Sequence, residues 1–346
     1  MSEMFVTFKE LCLLPGVSGC EKPVADYIID KISGLEGVTY KVDALGNIIV
    51  HKKGEMAPKT KLLLSAHMDE VGLIITSIGD EGMLKFTSVG GIDPRVVLGR
   101  RVNINGHIGV IGTKAVHLQK SDERKTAPDF DSLLIDTGAK DKEDAEKYVK
   151  PGDRAVFESE FVNFGDGFVK AKAIDDRIGC AILLEILKKP LKYDIDVTFV
   201  VQEEVGTRGA KAAAFSVAPE AAIVIEATTA SDIADVPEGK KVCFLGRGPV
   251  VSFMDRSTVY DRGLYDLAFK TAKEKGIPCQ AKLAVAGGND AGAIHLSRGG
   301  VKTLAVSLPC RYLHSPSCVI KYEDAENTFK LVYELCTRIA GSELCW

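Results

Sequence analysis

The stretch that decides the fold is "YDIDVTFVVQEEVGTRGAKAAAFSVAPEAAIVIEAT", residues 193–228. It begins with apolar β-formers, continues with an alanine-rich segment that predicts a helix, and returns to a second apolar run. Strands that alternate with helices are typical of parallel sheets built from βαβ units. The stretch therefore predicts an α/β fold, and it places two adjacent glutamates, Glu203 and Glu204, where the first strand ends.

The same alternation continues on both sides of this stretch. Amphipathic segments predict helices, and short apolar runs between turn residues predict strands. The predicted helices are 20–33, 175–189, 261–276, 290–298 and 322–341, and the predicted strands are 46–54, 61–72, 280–286 and 301–308. Together they indicate a three-layer α/β/α domain whose sheet is covered on both faces.

Residues 71–165 have a different character. They contain short β-rich pieces broken by glycine, and a strongly charged stretch, "QKSDERKTAPDFDS" at 119–132, that predicts an exposed loop. Short strands that follow one another at regular intervals are typical of a small barrel or sandwich. We therefore expect a discontinuous α/β domain, residues 1–70 plus 166–346, with the β-rich segment 71–165 inserted into it.

The composition excludes several classes of protein. Of the 346 residues, 46% are hydrophobic and 27% charged, as in ordinary globular domains. The net charge of −4 gives no basic excess for nucleic acid, and no apolar run has the length of a membrane span. The N-terminus lacks the features of a secretion signal, so we expect a cytoplasmic protein. Nine scattered cysteines without a Cys-x-x-Cys pair indicate reduced thiols.

Acidic residues and histidines recur where the predicted strands end. Taken singly, each has an ordinary explanation as a structural histidine, a helix cap or a solvated turn residue. Ligand sites of open α/β sheets, however, lie outside the carboxyl ends of the strands, and five such clusters in one domain indicate a site. The residues are His67, Asp69, Asp175, Asp176, Glu203, Glu204, Glu226 and His314.

These residue types suit a hydrolytic metal centre. Zinc binds imidazole nitrogen and carboxylate oxygen, and a pair of metals needs a carboxylate that bridges them. One metal would take His67 and Glu226 and the other Glu204 and His314, with Asp175 or Asp176 as the bridge.

Three further residues have possible roles around the metals. Asp69 would orient the ring of His67, as carboxylates behind metal-bound histidines do. Glu203, left without a metal, would accept a proton from water. In "AVAGGNDAGAIH", residues 284–295, Asp290 would bind a cation or an amine, although a simple turn with a helix cap explains it nearly as well.

Six motifs in this order resemble the tetrahedral aminopeptidase family: "SAHMDEVG", "AKAIDDRIGC", "QEEVGTRGA", "IEATTASD", "GGNDAGAIH" and "RYLHSP". This family of cocatalytic zinc metallopeptidases includes glutamyl and deblocking aminopeptidases, and some members carry the name cellulase M or endoglucanase. The likeness runs from residue 14 to the end. It implies a zinc-peptidase α/β domain interrupted by a small β-barrel domain that helps to assemble large oligomers, often dodecamers.

The resemblance also implies a role for each site residue. The metal ligands would be His67 and Glu226 for one ion, Glu204 and His314 for the other, and Asp175 as the bridge. Glu203 would be the general base, Asp69 would support His67, and Asp290 would lie near the substrate. Many members have aspartate where this chain has Glu226. His117, in a stretch of the insertion that also resembles the family, is interpreted as structural.

We therefore expect a dinuclear aminopeptidase that acts on short peptides, with zinc, cobalt or manganese as its metals and a metal-bridging hydroxide as the nucleophile. Three alternatives are a metal-dependent deacylase, a metal-free polysaccharide hydrolase and a non-enzymatic assembly module. A single tryptophan offers few platforms for sugars, and the full ligand set argues against the last alternative. The preferred N-terminal residue stays open.

Overall fold

A computed structural model describes residues 2–122 and 124–343 of the chain. Its helices are α1 (Glu3–Leu13), α2 (Lys22–Ile32), α3 (Lys142–Ala145), α4 (Ile174–Leu187), α5 (Arg208–Val217), α6 (Arg262–Lys275), α7 (Ala291–Ile294) and α8 (Tyr322–Ala340). Its strands are β1 (Val38–Val42), β2 (Ile48–Lys52), β3 (Leu62–His67), β4 (Gly72–Ile78), β5 (Leu84–Val89), β6 (Arg101–Ile104), β7 (His107–Thr113), β8 (Leu133–Asp136), β9 (Arg154–Phe157), β10 (Val162–Phe164), β11 (Phe168–Ala171), β12 (Ile195–Val200), β13 (Ala221–Thr229), β14 (Val250–Val251), β15 (Gln280–Ala281), β16 (Lys302–Cys310) and β17 (Cys318–Lys321).

An eight-stranded sheet forms the centre of the larger part of the molecule, in the order β1-β2-β12-β3-β13-β16-β14-β15. Its four middle strands, β12, β3, β13 and β16, are parallel. Parallel strands are buried on both faces and read as continuous apolar runs, and every residue of β3 is indeed buried. The middle of the sheet therefore brings the carboxyl ends of four buried strands to one edge.

Helices cover both faces of this sheet. Side chains alternate along a strand, so Leu62 and Leu64 of β3 pack into one core with helices that include α1, α4 and α8. Leu63 points the other way and packs with Ala213 of α5 and Ile294 of α7. The predicted three-layer α/β/α architecture is confirmed.

The inserted segment forms a closed six-stranded barrel, in the order β4-β5-β8-β7-β6-β9, which settles the choice between barrel and sandwich. Pairing of Leu73 in β4 with Ala155 in β9 closes it. The barrel has its own buried apolar cluster, in which Phe86, Val102 and Ile135 take part. The domain limits at residues 71 and 165 stay a prediction. The nearby strands β10 and β11 join β17 in a separate three-stranded sheet.

Several elements differ from the sequence-based expectation. The strand expected at 61–72 is divided, since β3 ends at His67 and β4 begins at Gly72 in the barrel. Helix α1 was not anticipated, although Ser2 caps its first turn by accepting a hydrogen bond from the Phe5 backbone N–H. The strand expected at 280–286 ends at Ala281, and the helix expected at 290–298 is the single turn of α7. The strand gives way to an extended loop that contains Gly287 and Gly288, and α7 gives way to turns over 295–299, in which Arg298 has a φ of +51°.

Across the described ranges, none of the helices combines the length and the apolar character that a membrane crossing requires.

Candidate metal centre

The candidate site lies at the carboxyl edge of the middle strands. His67 is the last residue of β3, Glu203 and Glu204 follow β12, and Glu226 lies near the end of β13. The register pairs His67 with Val200 of β12, so the turn that carries both glutamates begins beside the histidine. Neighbouring parallel strands thus bring these side chains together.

Two groups of three residues each place their ligand atoms within 4.8 Å of one another. The first group is His67, Asp175 and Glu226, and all three are largely buried. The Nε2 atom of His67 lies 3.3 Å from Asp175 Oδ1 and 3.1 Å from Glu226 Oε1. One imidazole and two carboxylates are a donor set that suits zinc.

The second group is Asp175, Glu204 and His314. The Nε2 atom of His314 lies 3.5 Å from Glu204 Oε2 and 3.8 Å from Asp175 Oδ2. Asp175 therefore belongs to both groups, with Oδ1 toward His67 and Oδ2 toward His314. This is the arrangement that a carboxylate shared between two cations requires.

Asp176 belongs to neither group. Its Oδ1 accepts a hydrogen bond from the Gly179 backbone N–H at 3.0 Å, and its Oδ2 accepts one from the His67 backbone N–H at 3.4 Å. The peptide bond between Asp175 and Asp176 is cis. A side chain at position 179 would collide with the Asp176 carboxylate at 2.4 Å, which explains why glycine stands there. The geometry favours Asp175 over Asp176 as the shared ligand.

Asp69 lies behind the site and is fully buried. The Nδ1 atom of His67 is 3.4 Å from Asp69 Oδ1 and 3.2 Å from the Asp69 carbonyl, so this nitrogen carries the proton and leaves Nε2 free for a ligand role. The same carboxylate accepts hydrogen bonds from the backbone N–H groups of Glu203 and Glu204 at 3.0 and 3.1 Å. Burial alone raises the pKa of Asp69, but hydrogen bonds from His67 and Ser18 bring it below its usual value.

Glu203 faces the cavity in front of both groups and belongs to neither. Its carboxylate has no hydrogen-bond partner within the described part of the chain. Burial, together with the nearby negative charges of Asp175 and Asp69, raises the pKa of Glu203 to about 7. A carboxyl group with such a pKa can both accept and release a proton near neutral pH.

The carboxylates of the two groups repel one another. Burial raises the pKa of Glu226 and of Glu204 well above the ordinary value, and the charge of Asp175 adds to this effect. Among the described residues, Glu226 Oε2 is buried without any hydrogen-bond partner. A buried anionic oxygen without a partner is costly, and a bound cation supplies what it lacks. The residues present therefore fit metal ligation.

The two other predicted residues lie outside the groups. Asp290 is fully buried, and neither of its carboxylate oxygens has a hydrogen-bond partner among the residues described. It is not among the residues that line the cavity, and its substrate-binding role stays a prediction. His117 is exposed, in a short turn of the insertion.

Sequence reasoning missed a contact from the barrel. The Nδ1 atom of His314 lies 2.8 Å from the carbonyl oxygen of Gly91, which follows β5. At Gly90, where φ is +85°, a Cβ atom would come within 2.8 Å of the Val71 side chain and 3.3 Å of Glu204 Cβ. The paired glycines were the available signal, because a Gly-Gly step permits close backbone approach.

A cavity of about 410 Å³ opens in front of both groups. Its walls include the carboxylates of Asp175, Glu203, Glu204 and Glu226. The cavity is also lined by Lys282, by small and apolar residues such as Val242, and by the loop that carries Gly287 and Gly288. Sequence analysis did not single out Lys282.

Comparison with known proteins places this geometry in context. A family model described as M42 glutamyl aminopeptidase matches residues 46–331. A putative aminopeptidase of Acetivibrio thermocellus is 38% identical over 334 residues, which cover 96% of this chain and 98% of that protein. The lysyl aminopeptidase of Pyrococcus furiosus is 32% identical over 337 residues, which cover 94% of this chain and 95% of that protein.

A solved structure of the TET1 peptidase from Pyrococcus horikoshii is also similar. It superposes with a TM-score of 0.84 at 37% sequence identity, over 96% of this chain and 99% of that chain. That peptidase can assemble into a tetrahedron or a large octahedral shell.

Proposed function

The chain belongs to the family of M42 glutamyl aminopeptidases, and on that premise we propose that it removes N-terminal residues from short peptides with two divalent metal ions. The observation that carries the proposal is the position of Asp175. Its two carboxylate oxygens face different histidines, Oδ1 at 3.3 Å from His67 Nε2 and Oδ2 at 3.8 Å from His314 Nε2. A carboxylate shared in this way supports two ions rather than one.

In this proposal His67 and Glu226 hold one ion, Glu204 and His314 hold the other, and Asp175 contacts both. Imidazole and carboxylate ligands suit zinc, and cobalt and manganese also fit, so availability selects the metal. When bound, the two ions supply Lewis acidity that polarises the scissile carbonyl and activates water.

Glu203 moves the proton. Its carboxylate oxygen takes a proton from the attacking water and then gives it to the leaving amine of the peptide. The free carboxylate, its place on the cavity wall and its raised pKa support this role. Asp69 keeps the Glu203 backbone in place through the hydrogen bond at 3.0 Å.

Self-association is a further part of the proposal. Exposed apolar side chains lie on β7 of the inserted barrel and on the short turn that follows this strand: Ile108, Val110, Val116 and Leu118. Exposed apolar side chains are a feature that association with a partner surface would bury. We propose that the barrel contributes to a homo-oligomer, as large as a tetrahedral dodecamer. Light scattering after size-exclusion chromatography measures the assembly, and a monomer at micromolar concentration would contradict it.

The test of the mechanism is Glu203→Gln. We expect this variant to keep its metal content, because position 203 lies outside both ligand groups, and to lose at least about 1,000-fold in kcat. Metal is measured by elemental analysis of the purified protein, and turnover by release of p-nitroaniline from a panel of aminoacyl p-nitroanilides.

Two variants calibrate this test. Glu204→Gln should lose bound metal as well as turnover, whereas Glu238→Gln, at an exposed position, should change neither. Near-normal turnover of Glu203→Gln, with metal bound, would show that another residue moves the proton.

A further inference from the structure

An ion pair lies at the base of the hairpin that carries His314. Arg311 follows β16, and two backbone hydrogen bonds with Val319, at 2.9 and 3.0 Å, close the hairpin over residues 312–318. The guanidinium of Arg311 meets the carboxylate of Asp232 with two nitrogens, Nε at 2.7 Å from Oδ1 and Nη2 at 2.9 Å from Oδ2. A bidentate pair of this kind fixes direction as well as distance.

The carboxylate of Asp232 is held by a second partner. The side chain is only 7% exposed, and its Oδ2 also accepts a hydrogen bond from the Leu245 backbone N–H at 3.0 Å. Burial raises the pKa of Asp232, but the hydrogen bonds from Arg311 and Leu245 bring it below its usual value. The carboxylate is therefore charged at neutral pH, and its orientation toward Arg311 is fixed.

The ion pair continues the contact between two central strands beyond their ends. Backbone pairing of β13 with β16 ends where the Ala230 N–H donates to the Cys310 carbonyl at 2.8 Å, and the ion pair follows within two residues. Strand β13 carries Glu226 of the first ligand group, and the chain after β16 carries His314 of the second. The pair thus joins the segment that follows one ligand to the segment that precedes the other.

The hairpin needs support because part of its backbone is strained. Tyr312 and His314 have φ of +60° and +57°, in the left-handed region that residues other than glycine rarely adopt. Such conformations persist only where the surrounding structure fixes them. On the barrel side, His314 Nδ1 lies 2.8 Å from the Gly91 carbonyl oxygen. On the sheet side, the ion pair fixes the residue at which the hairpin begins.

We propose that Asp232 and Arg311 are positioning residues that hold His314 where it can ligate the second metal ion. They act through the hairpin and not by touching metal or substrate. The inference rests on the proposed two-ion function, since the second ligand group is where its effect is measured. An ordinary structural ion pair would instead affect both ions alike.

The test measures stepwise zinc binding to metal-free protein by competition with a chromogenic chelator. His314→Ala identifies the step that belongs to the second group. Asp232→Asn removes the charge and keeps the shape, and we expect the zinc affinity of this step to fall about tenfold or more, while the other step changes by less than threefold. Arg311→Met should do the same. Arg311→Lys keeps the charge without the bidentate geometry and should fall between.

Two comparisons show whether the pair acts as a unit. The double variant Asp232→Asn/Arg311→Met should lose no more zinc affinity than the more affected single variant. Losses that multiply would mean that the two residues act independently and would overturn the inference. Arg262→Met, which breaks an exposed pair with Asp266 at 2.9 Å, is the matched control and should leave both steps unchanged.

A further measurement needs neither metal nor turnover. Hydrogen exchange of chelated protein, followed by mass spectrometry on the peptide that covers 311–319, reports on the bonds that close the hairpin. Asp232→Asn should speed exchange in this peptide about tenfold and leave the peptide that covers β12 within threefold of wild type.

The outcomes separate this inference from the proposed function. If the wild type binds fewer than two zinc ions, the two-ion function fails, and hydrogen exchange alone decides on the pair. Unchanged exchange over 311–319 overturns the inference. So does a second-step zinc affinity of Asp232→Asn that stays within threefold of wild type. Equal losses at both steps would assign the pair a general structural role and also overturn it.

Discussion

Replacing Asp69 with asparagine tests whether one buried carboxylate supports both the metal ligands and the general base. Asp69 accepts from Ser18 Oγ at 2.6 Å and from the backbone N–H groups of Glu203 and Glu204 at 3.0 and 3.1 Å, and it faces His67 Nδ1 at 3.4 Å. An asparagine offers one oxygen and one NH₂ group, so about half of these donors would face another donor.

The expected loss of stability follows from the number of hydrogen-bond donors that lose their acceptor. A hydrogen bond to a charged group contributes about 1.5–3 kcal/mol, so two lost bonds cost about 3–6 kcal/mol. Removal of a fully buried charge offsets part of this loss, and we expect a net decrease of about 3 kcal/mol in the free energy of unfolding. Loss of the partner behind His67 should also weaken metal binding by about 10- to 100-fold.

The assay is urea unfolding of chelated protein at one fixed concentration, combined with zinc titration against a chromogenic chelator. Chelation separates the stability of the fold from that of the metal complex. Ser18→Ala is the milder variant, because it removes a single donor, and should cost about 1.5 kcal/mol with zinc affinity within threefold of wild type. Asp26→Asn, at an exposed position, is the control.

The pH dependence of the free energy of unfolding tests the role of Asp69 independently. The folded-state pKa of Asp69 lies below its ordinary value of 3.8, so its stabilisation is present above that pH and disappears as the pH falls through the folded pKa. The difference in the free energy of unfolding between wild type and Asp69→Asn should therefore become smaller below about pH 4. If Asp69→Asn matches wild type in both unfolding and zinc affinity, the support assigned to Asp69 is refuted.

Two further substitutions test the surroundings of the site. Gly90→Ala forces a side chain onto a residue with φ of +85° and within 2.8 Å of the Val71 side chain, and should lower the free energy of unfolding by about 1–3 kcal/mol, measured by urea titration; wild-type stability would contradict the close packing. Lys172→Met removes the buried partner of Glu70, whose oxygens lie 2.7 and 2.8 Å from Lys172 Nζ, and should cost about 3–5 kcal/mol in the same assay, whereas Lys22→Met at the surface should cost less than about 1 kcal/mol.

The middle of the fold and the centre of the site were predictable from local patterns. Apolar runs such as 62–67 and 221–228 are typical of buried strands, and the polar residues at the ends of such parallel strands lie at one edge of the sheet. The order of the motifs identified the family, which the comparisons confirm. Proximity of His67 to Glu226 follows from neighbouring parallel strands.

Contacts between distant segments were not predictable in the same way. Nothing local indicates that the Gly91 carbonyl meets His314, because 223 positions separate them in the chain. Lys282 reads as an ordinary polar residue, and nothing local indicates that it is buried or that its Nζ donates to the Ala286 carbonyl. The choice between Asp175 and Asp176 depended on which carboxylate faces the histidines and which accepts backbone hydrogen bonds, and residue type does not reveal this.

The strand order has a consequence for a chain that emerges from the ribosome. Strand β3 ends at His67, yet its two neighbours begin only at Ile195 and Ala221. The edges of β3, a strand buried on both faces in the folded protein, thus stay unpaired while more than a hundred further residues are synthesised. Barrel strands, by contrast, pair among themselves and are all synthesised by Phe157. During synthesis the barrel can close first, and we expect the nascent β3 to be exposed to aggregation until its neighbours are made.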